Sequence, residues 1–166
     1  MLPWNKPPAP SVQSVTPFFL DILSPVIVLV AHTLLVFVLL YAYRIPEMIK
    51  KKVNVKKLTP AGPEALKEWS KMDPRKEYPA QNYNHLCEQP TLFYATIFFI
   101  QLFRNGVFKD DVVLIGSAWT YVGFRLVHSI EQCFRNDVST RFYLFAVSSL
   151  SLFVMVGKVL LSVLLA

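Results

Sequence analysis

Arg125, His128 and Gln132 follow one another at spacings of three and four, and Tyr121 stands one turn before Arg125, in the stretch AWTYVGFRLVHSIEQCFRNDVSTR. Those spacings place all four on one face of a helix. The run is otherwise apolar, and a charge inside a bilayer is costly, so an arginine there needs a partner, water or a polar ligand. The plainer reading is that Arg125 reaches for the headgroups, as long basic side chains near span ends do. Gln81, His85 and Glu88 form a second set at i, i+4 and i+7, again on one face, where a solvated helix start is the plainer reading. Arginine grips carboxylates bidentately, a glutamate takes an ammonium, and a cation beside a thiol stabilises the thiolate. Residues of these types suit a small anionic ligand that also carries an amine.

The elements that must hold them are read from hydropathy. Hydrophobic residues make up 54% of the 166 residues and mean hydropathy is +0.41, too apolar for an ordinary soluble domain. An integral, multi-pass membrane protein is expected. The net charge of +6 falls mainly in one loop beside apolar runs, which points to lipid headgroups and away from nucleic acid. Cys87 and Cys133 have neither metal-ligand spacing nor a disulfide framework, and no metal site is expected. Glu88 beside Cys87 would raise that thiol's pKa, so Cys87 reads as a packing residue.

Residues 1–17 read as a proline-rich irregular arm, and 18–166 as one membrane domain with spans at about 18–43, 82–103, 112–130 and 142–165. Thr16 before Pro17, or Ser24 before Pro25, would open the first span. His32, in its middle, reads as a packing histidine, and Asp21 as interfacial. The purely apolar part of the second span, residues 91–103, makes only about 20 Å of helix where about 30 Å is needed. The helix must therefore begin near Asn82, across Pro90, which removes one hydrogen bond. Short turns around Gly106 and at 131–140 complete an all-α four-helix bundle.

With four spans, the loop at residues 44–79 and the turn before the fourth span share a side. That side holds 13 of the 17 Lys and Arg and is the cytoplasmic one, or its topological equivalent. Gln81, His85 and Glu88 then lie at the depth of Arg125, His128, Gln132 and Arg141, while Asp21 and Lys158 could pair on the far side.

The segments NHLCEQPTLFY, AWTYVGFRLVHSIEQ and NDVSTRFYLF together resemble the MAPEG family, membrane-associated proteins in eicosanoid and glutathione metabolism, over all four spans. The resemblance is greatest to a branch largely without assigned activity. It implies a homotrimer of four-helix bundles that binds glutathione as co-substrate between subunits on the cytosolic side. Glu88 matches the family's second-helix glutamate, Arg125 and His128 its R-x-x-H, and Arg141 the arginine assigned to stabilising the thiolate. Gln81 stands where arginine is usual, His85 where asparagine is, and Gln132 where tyrosine is. Arg44 could replace part of the missing charge.

Two functions follow from the resemblance. One is a glutathione transferase or peroxidase acting on a lipophilic electrophile. There Arg141 is catalytic, and Gln81, His85, Glu88, Arg125, His128 and Gln132 bind glutathione. The other is a non-catalytic structural subunit of a larger membrane complex, whose polar cluster serves assembly. Endoplasmic reticulum and mitochondrial membrane are both compatible with the sequence.

Overall fold

The computed structural model describes residues 20–58, 62–103, 108 and 111–165, and all regular structure among them is helical. The N-terminal arm, with Thr16 and Pro17, and the turn at Gly106 lie outside the described residues. Helix α1 (Ser24–Lys50) begins with Pro25 in its first turn, where a missing N–H costs nothing. Ser24 does not cap it. Leu23 holds the cap position, and the Asp21 carboxylate accepts from the Leu23 N–H at 3.0 Å. The helix also passes Tyr43, the expected end of the span, and runs through Pro46 to Lys50, forfeiting one internal hydrogen bond on the way. Lys52 then turns the chain with φ 51°.

The basic stretch that follows is folded against the end of α1. It comprises a 3-10 turn (Val55–Lys57), α2 (Pro63–Trp69) and a second 3-10 turn (Pro74–Glu77). Two buried carboxylates organise it. Glu68 accepts from the Asn54 N–H at 2.9 Å and pairs with Lys71 at 2.7 Å, and Glu47 accepts from the Asp73 N–H at 3.4 Å. The Lys71 ammonium and the Asn54 amide hold the Glu68 carboxyl below its ordinary pKa.

Helix α3 (Tyr78–Glu88) starts before Asn82, and α4 (Pro90–Leu102) follows directly. Gln89 between them keeps right-handed helical angles (φ −64°, ψ −37°), so Pro90 interrupts the hydrogen bonding without diverting the chain into a loop. Helix α5 (Val112–Phe134) is capped by Asp111, whose carboxylate accepts from the Val113 and Leu114 amides at 3.0 and 3.2 Å. Asn136 closes α5 in the left-handed region (φ 60°), one of the few residue types that does so at small cost. Asp137 then caps α6 (Val138–Leu164) by accepting from the Thr140 amide at 2.7 Å.

α5 and α6 pack side by side along their length, α1 lies against α3 and α5, and α4 touches α6. Leu29, Phe93, Ile97, Tyr121, Val122 and Met155 fill the centre, with the Phe93 and Tyr121 rings stacked at 4.5 Å. The outward faces are apolar too, including Leu35, Val38, Phe98 and Phe153. A helix apolar on all sides is a core or membrane element, and here the outer apolar surface is uncovered. α1 and α6 are each long and apolar enough to cross a membrane.

Candidate functional site

Arg125 is 1% exposed, deep on the inner face of α5. Its guanidinium carbon stands 4.9 Å from the centre of the Phe145 ring of α6 and 5.5 Å from that of Tyr121. The tight turn at Asn136 folds α6 back along α5 and so sets Phe145 opposite Arg125. Nε and Nη2 of Arg125 are buried without a hydrogen-bond partner among the described residues, and no carboxylate there pairs with it. Aromatic faces attract a cation, but they do not replace the hydrogen bonds that a guanidinium has in water.

Next to it is a cavity of about 190 Å³ lined by His85, His128, Val138, Arg141, Phe142 and Phe145. The His85 and His128 rings, from α3 and α5, are 6.5 Å apart. Arg141, in the first turn of α6, donates from Nη1 to Asn136 Oδ1, while its buried Nε has no partner among the described residues. Gln132 is buried, and its Oε1 is likewise without a partner. Arg141 and two histidines from α3 and α5 thus line a small cavity that has no carboxylate in its lining, with Arg125 buried on the other side of Phe145.

The other expected site residues lie elsewhere. Gln81 is exposed, and the Glu88 side chain is 71% exposed, near its own neighbour His85 at 3.5 Å and not paired with Arg125. α3 is rotated so that Asn82 and Leu86 face inward, which turns Gln81 and Glu88 outward. Arg44 pairs with Glu77 at 2.6 Å and lies 5.1 Å from the Trp69 ring centre, so its charge is already matched. Lys158 pairs with Asp111 at 2.6 Å, not with Asp21, because the start of α5 lies against the last turns of α6. Cys87 is exposed and does not fill the interior, whereas Cys133 is buried.

A polar knot was missed in the sequence. Ser129 Oγ meets His32 Nε2 at 2.7 Å and accepts from Asn82 Nδ2, which also approaches Cys133 Sγ at 3.3 Å. It ties α1, α3 and α5 together. Its one sequence signal was that Asn82, Ser129 and His32 are hydrogen-bonding residues set in apolar surroundings. Among the described residues no cluster of His, Cys, Asp and Glu could hold a metal.

An all-α protein whose long helices keep uncovered apolar faces around a polar interior has the make-up of a membrane protein. The chain belongs to the MAPEG family, whose sequence model matches residues 22–161 and so spans every site residue above. None of the curated proteins and none of the solved structures matches it.

Proposed function

We propose that the chain is a glutathione-dependent transferase or peroxidase of the membrane, built from four-span subunits as a homotrimer, with its site at the Arg125–His128–Arg141 end of the bundle. The supporting observation is the Arg125 guanidinium, buried with two nitrogens unbonded. An unpaired buried charge costs several kcal/mol, about 3–5 when a partner is removed, and an anion restores what is missing. Arg125 grips a glutathione carboxylate, aided by Gln132, and His128 and His85 donate to the remainder. Arg141 faces the cavity and holds the sulfur as thiolate. The thiolate then forms a bond to an electrophilic carbon drawn from the bilayer, and the leaving group departs with the electrons of its old bond. In peroxidase chemistry two such thiols reduce a hydroperoxide to alcohol and water, leaving a disulfide. Gln81 and Glu88, on the outer face of α3, enter the site where a neighbouring copy packs over them, Glu88 taking the ammonium.

The exposure of Glu88 favours a second reading, in which it pairs with a surface cation of a neighbouring copy and serves assembly alone. Glutathione binding to the purified protein in detergent separates the two. Wild type binds and Arg125→Ala does not, while Arg141→Ala binds but lacks thiolate absorbance in the ultraviolet. A wild-type protein that keeps its oligomeric state and binds no glutathione overturns the enzyme reading.

A further inference from the structure

We propose that the corner between the end of α1 and the Pro74–Glu77 turn binds the headgroup of a phospholipid that carries both a phosphate and a primary ammonium. A cavity of about 200 Å³ opens there, lined by Ala42, Tyr43, Pro46, Glu47, Lys50 and Lys76. Depth supports a lipid as the occupant. The 19 residues from Pro25 to Tyr43 rise about 28 Å along the helix, close to the roughly 30 Å of a bilayer's hydrocarbon. The next two turns of α1, which carry Glu47 and Lys50, therefore stand in the headgroup layer, on the side with most of the positive charge.

The charges in the corner are arranged for a zwitterion. Lys50 has no carboxylate partner among the described residues, and Lys76 Nζ sits 4.7 Å from the Tyr43 ring centre, with no ion pair to Glu47 or Asp73. Two ammonium groups at one cavity match the oxygens of a phosphate. Glu47 is buried, and its Oε1 meets the Asp73 amide at only 3.4 Å, which leaves acceptor capacity for an ammonium that has N–H donors. A choline headgroup has no such donors and a glycerol headgroup has no cation. The Arg125 site takes no part in this, so either reading can fail alone.

Thermal unfolding of the full chain in detergent tests it, with short-chain phosphatidylethanolamine, phosphatidylcholine, phosphatidylglycerol or soluble phosphoethanolamine added at equal concentration. Phosphatidylethanolamine raises Tm by about 3 °C more than the others. Lys50→Gln with Lys76→Gln removes that gain, and Glu47→Gln reduces it to the phosphatidylcholine level while keeping an oxygen for the Asp73 amide. Native mass spectrometry counts the retained lipid on molecules whose low charge states mark them as folded: among these, wild type keeps phosphatidylethanolamine and the double variant loses it. Equal protection by ethanolamine and choline lipids, greater protection by phosphatidylglycerol, equal protection by soluble phosphoethanolamine, or a double variant that retains both gain and lipid each overturns the proposal.

Discussion

The guanidinium of Arg125 lies over the Phe145 ring, 4.9 Å from its centre, on an interior face that supplies aromatic surface and, among the described residues, no carboxylate. The charge is thus held in place by packing while two of its nitrogens, Nε and Nη2, have no hydrogen-bond partner among the described residues. This is unfavourable for stability and favourable for binding an anion.

Arg125→Met keeps most of the stem volume and removes the buried charge. Replacing a buried ion pair by apolar residues of similar size is often neutral or stabilising by about 1–4 kcal/mol, and an unpaired buried charge has still less Coulombic gain to lose, so a gain of about 1 kcal/mol is expected without ligand. The variant should melt higher than wild type in detergent and bind no glutathione. A lower Tm would mean that the guanidinium has a partner when the protein is unliganded.

Asp111 both caps α5 and pairs with Lys158 of α6, so Asp111→Ala should cost about 1–2 kcal/mol, read as a lower Tm. Burial pushes the Asp111 carboxyl pKa up, but the Lys158 ammonium and the Leu114 and Val113 amides outweigh it and leave the pKa below the ordinary value. Asp137 is lowered in the same direction, chiefly by the Thr140 amide. A folded-state pKa below the unfolded value of about 3.9 means that stability is fully present above that pH and lost as pH falls through the folded value. Acid unfolding below about pH 4 should therefore be less steep in Asp111→Asn than in wild type.

Ser129→Ala leaves His32 Nε2 and Asn82 Nδ2 facing a methyl group inside the bundle, a loss of about 1–3 kcal/mol. His32→Leu added to Ser129→Ala should recover part of that loss, because the orphaned ring nitrogen goes with it. Thermal melts of the two single variants and the double variant measure the coupling. Strict additivity would show that the 2.7 Å contact contributes nothing.

Arg44 fastens the Pro74–Glu77 turn to α1 by two hydrogen bonds to Glu77, at 2.6 and 3.3 Å. Arg44→Ala should loosen residues 51–77 by about 1 kcal/mol, enough for about fivefold faster limited proteolysis there. Helical content by circular dichroism should stay unchanged. Equal cleavage rates would place the anchorage elsewhere, on Glu47 or Glu68.

Short-range periodicity made much of the architecture legible. The apolar runs foretold helices and a membrane, and the three-and-four spacing of Arg125, His128 and Gln132 foretold a shared face, which is buried as one. Capping was less legible at α1, where Asp21 accepts from the Leu23 amide while the more obvious Ser24 does not act. The fold of residues 51–58 and 62–77 was not legible at all, because it depends on carboxylates Glu47 and Glu68 receiving amides from distant parts of the chain.

What the sequence alone determined was the class of protein and the composition of one helical face, since both depend on neighbours within a turn or two. Which polar groups meet was decided only by tertiary packing. Lys158 joins Asp111 and not Asp21, Ser129 joins His32 and Asn82, and Glu88 points away from Arg125. Each outcome depends on how far one helix is rotated and shifted against another. That is fixed by side chains fitting together across tens of residues of sequence, a relation that no local period contains.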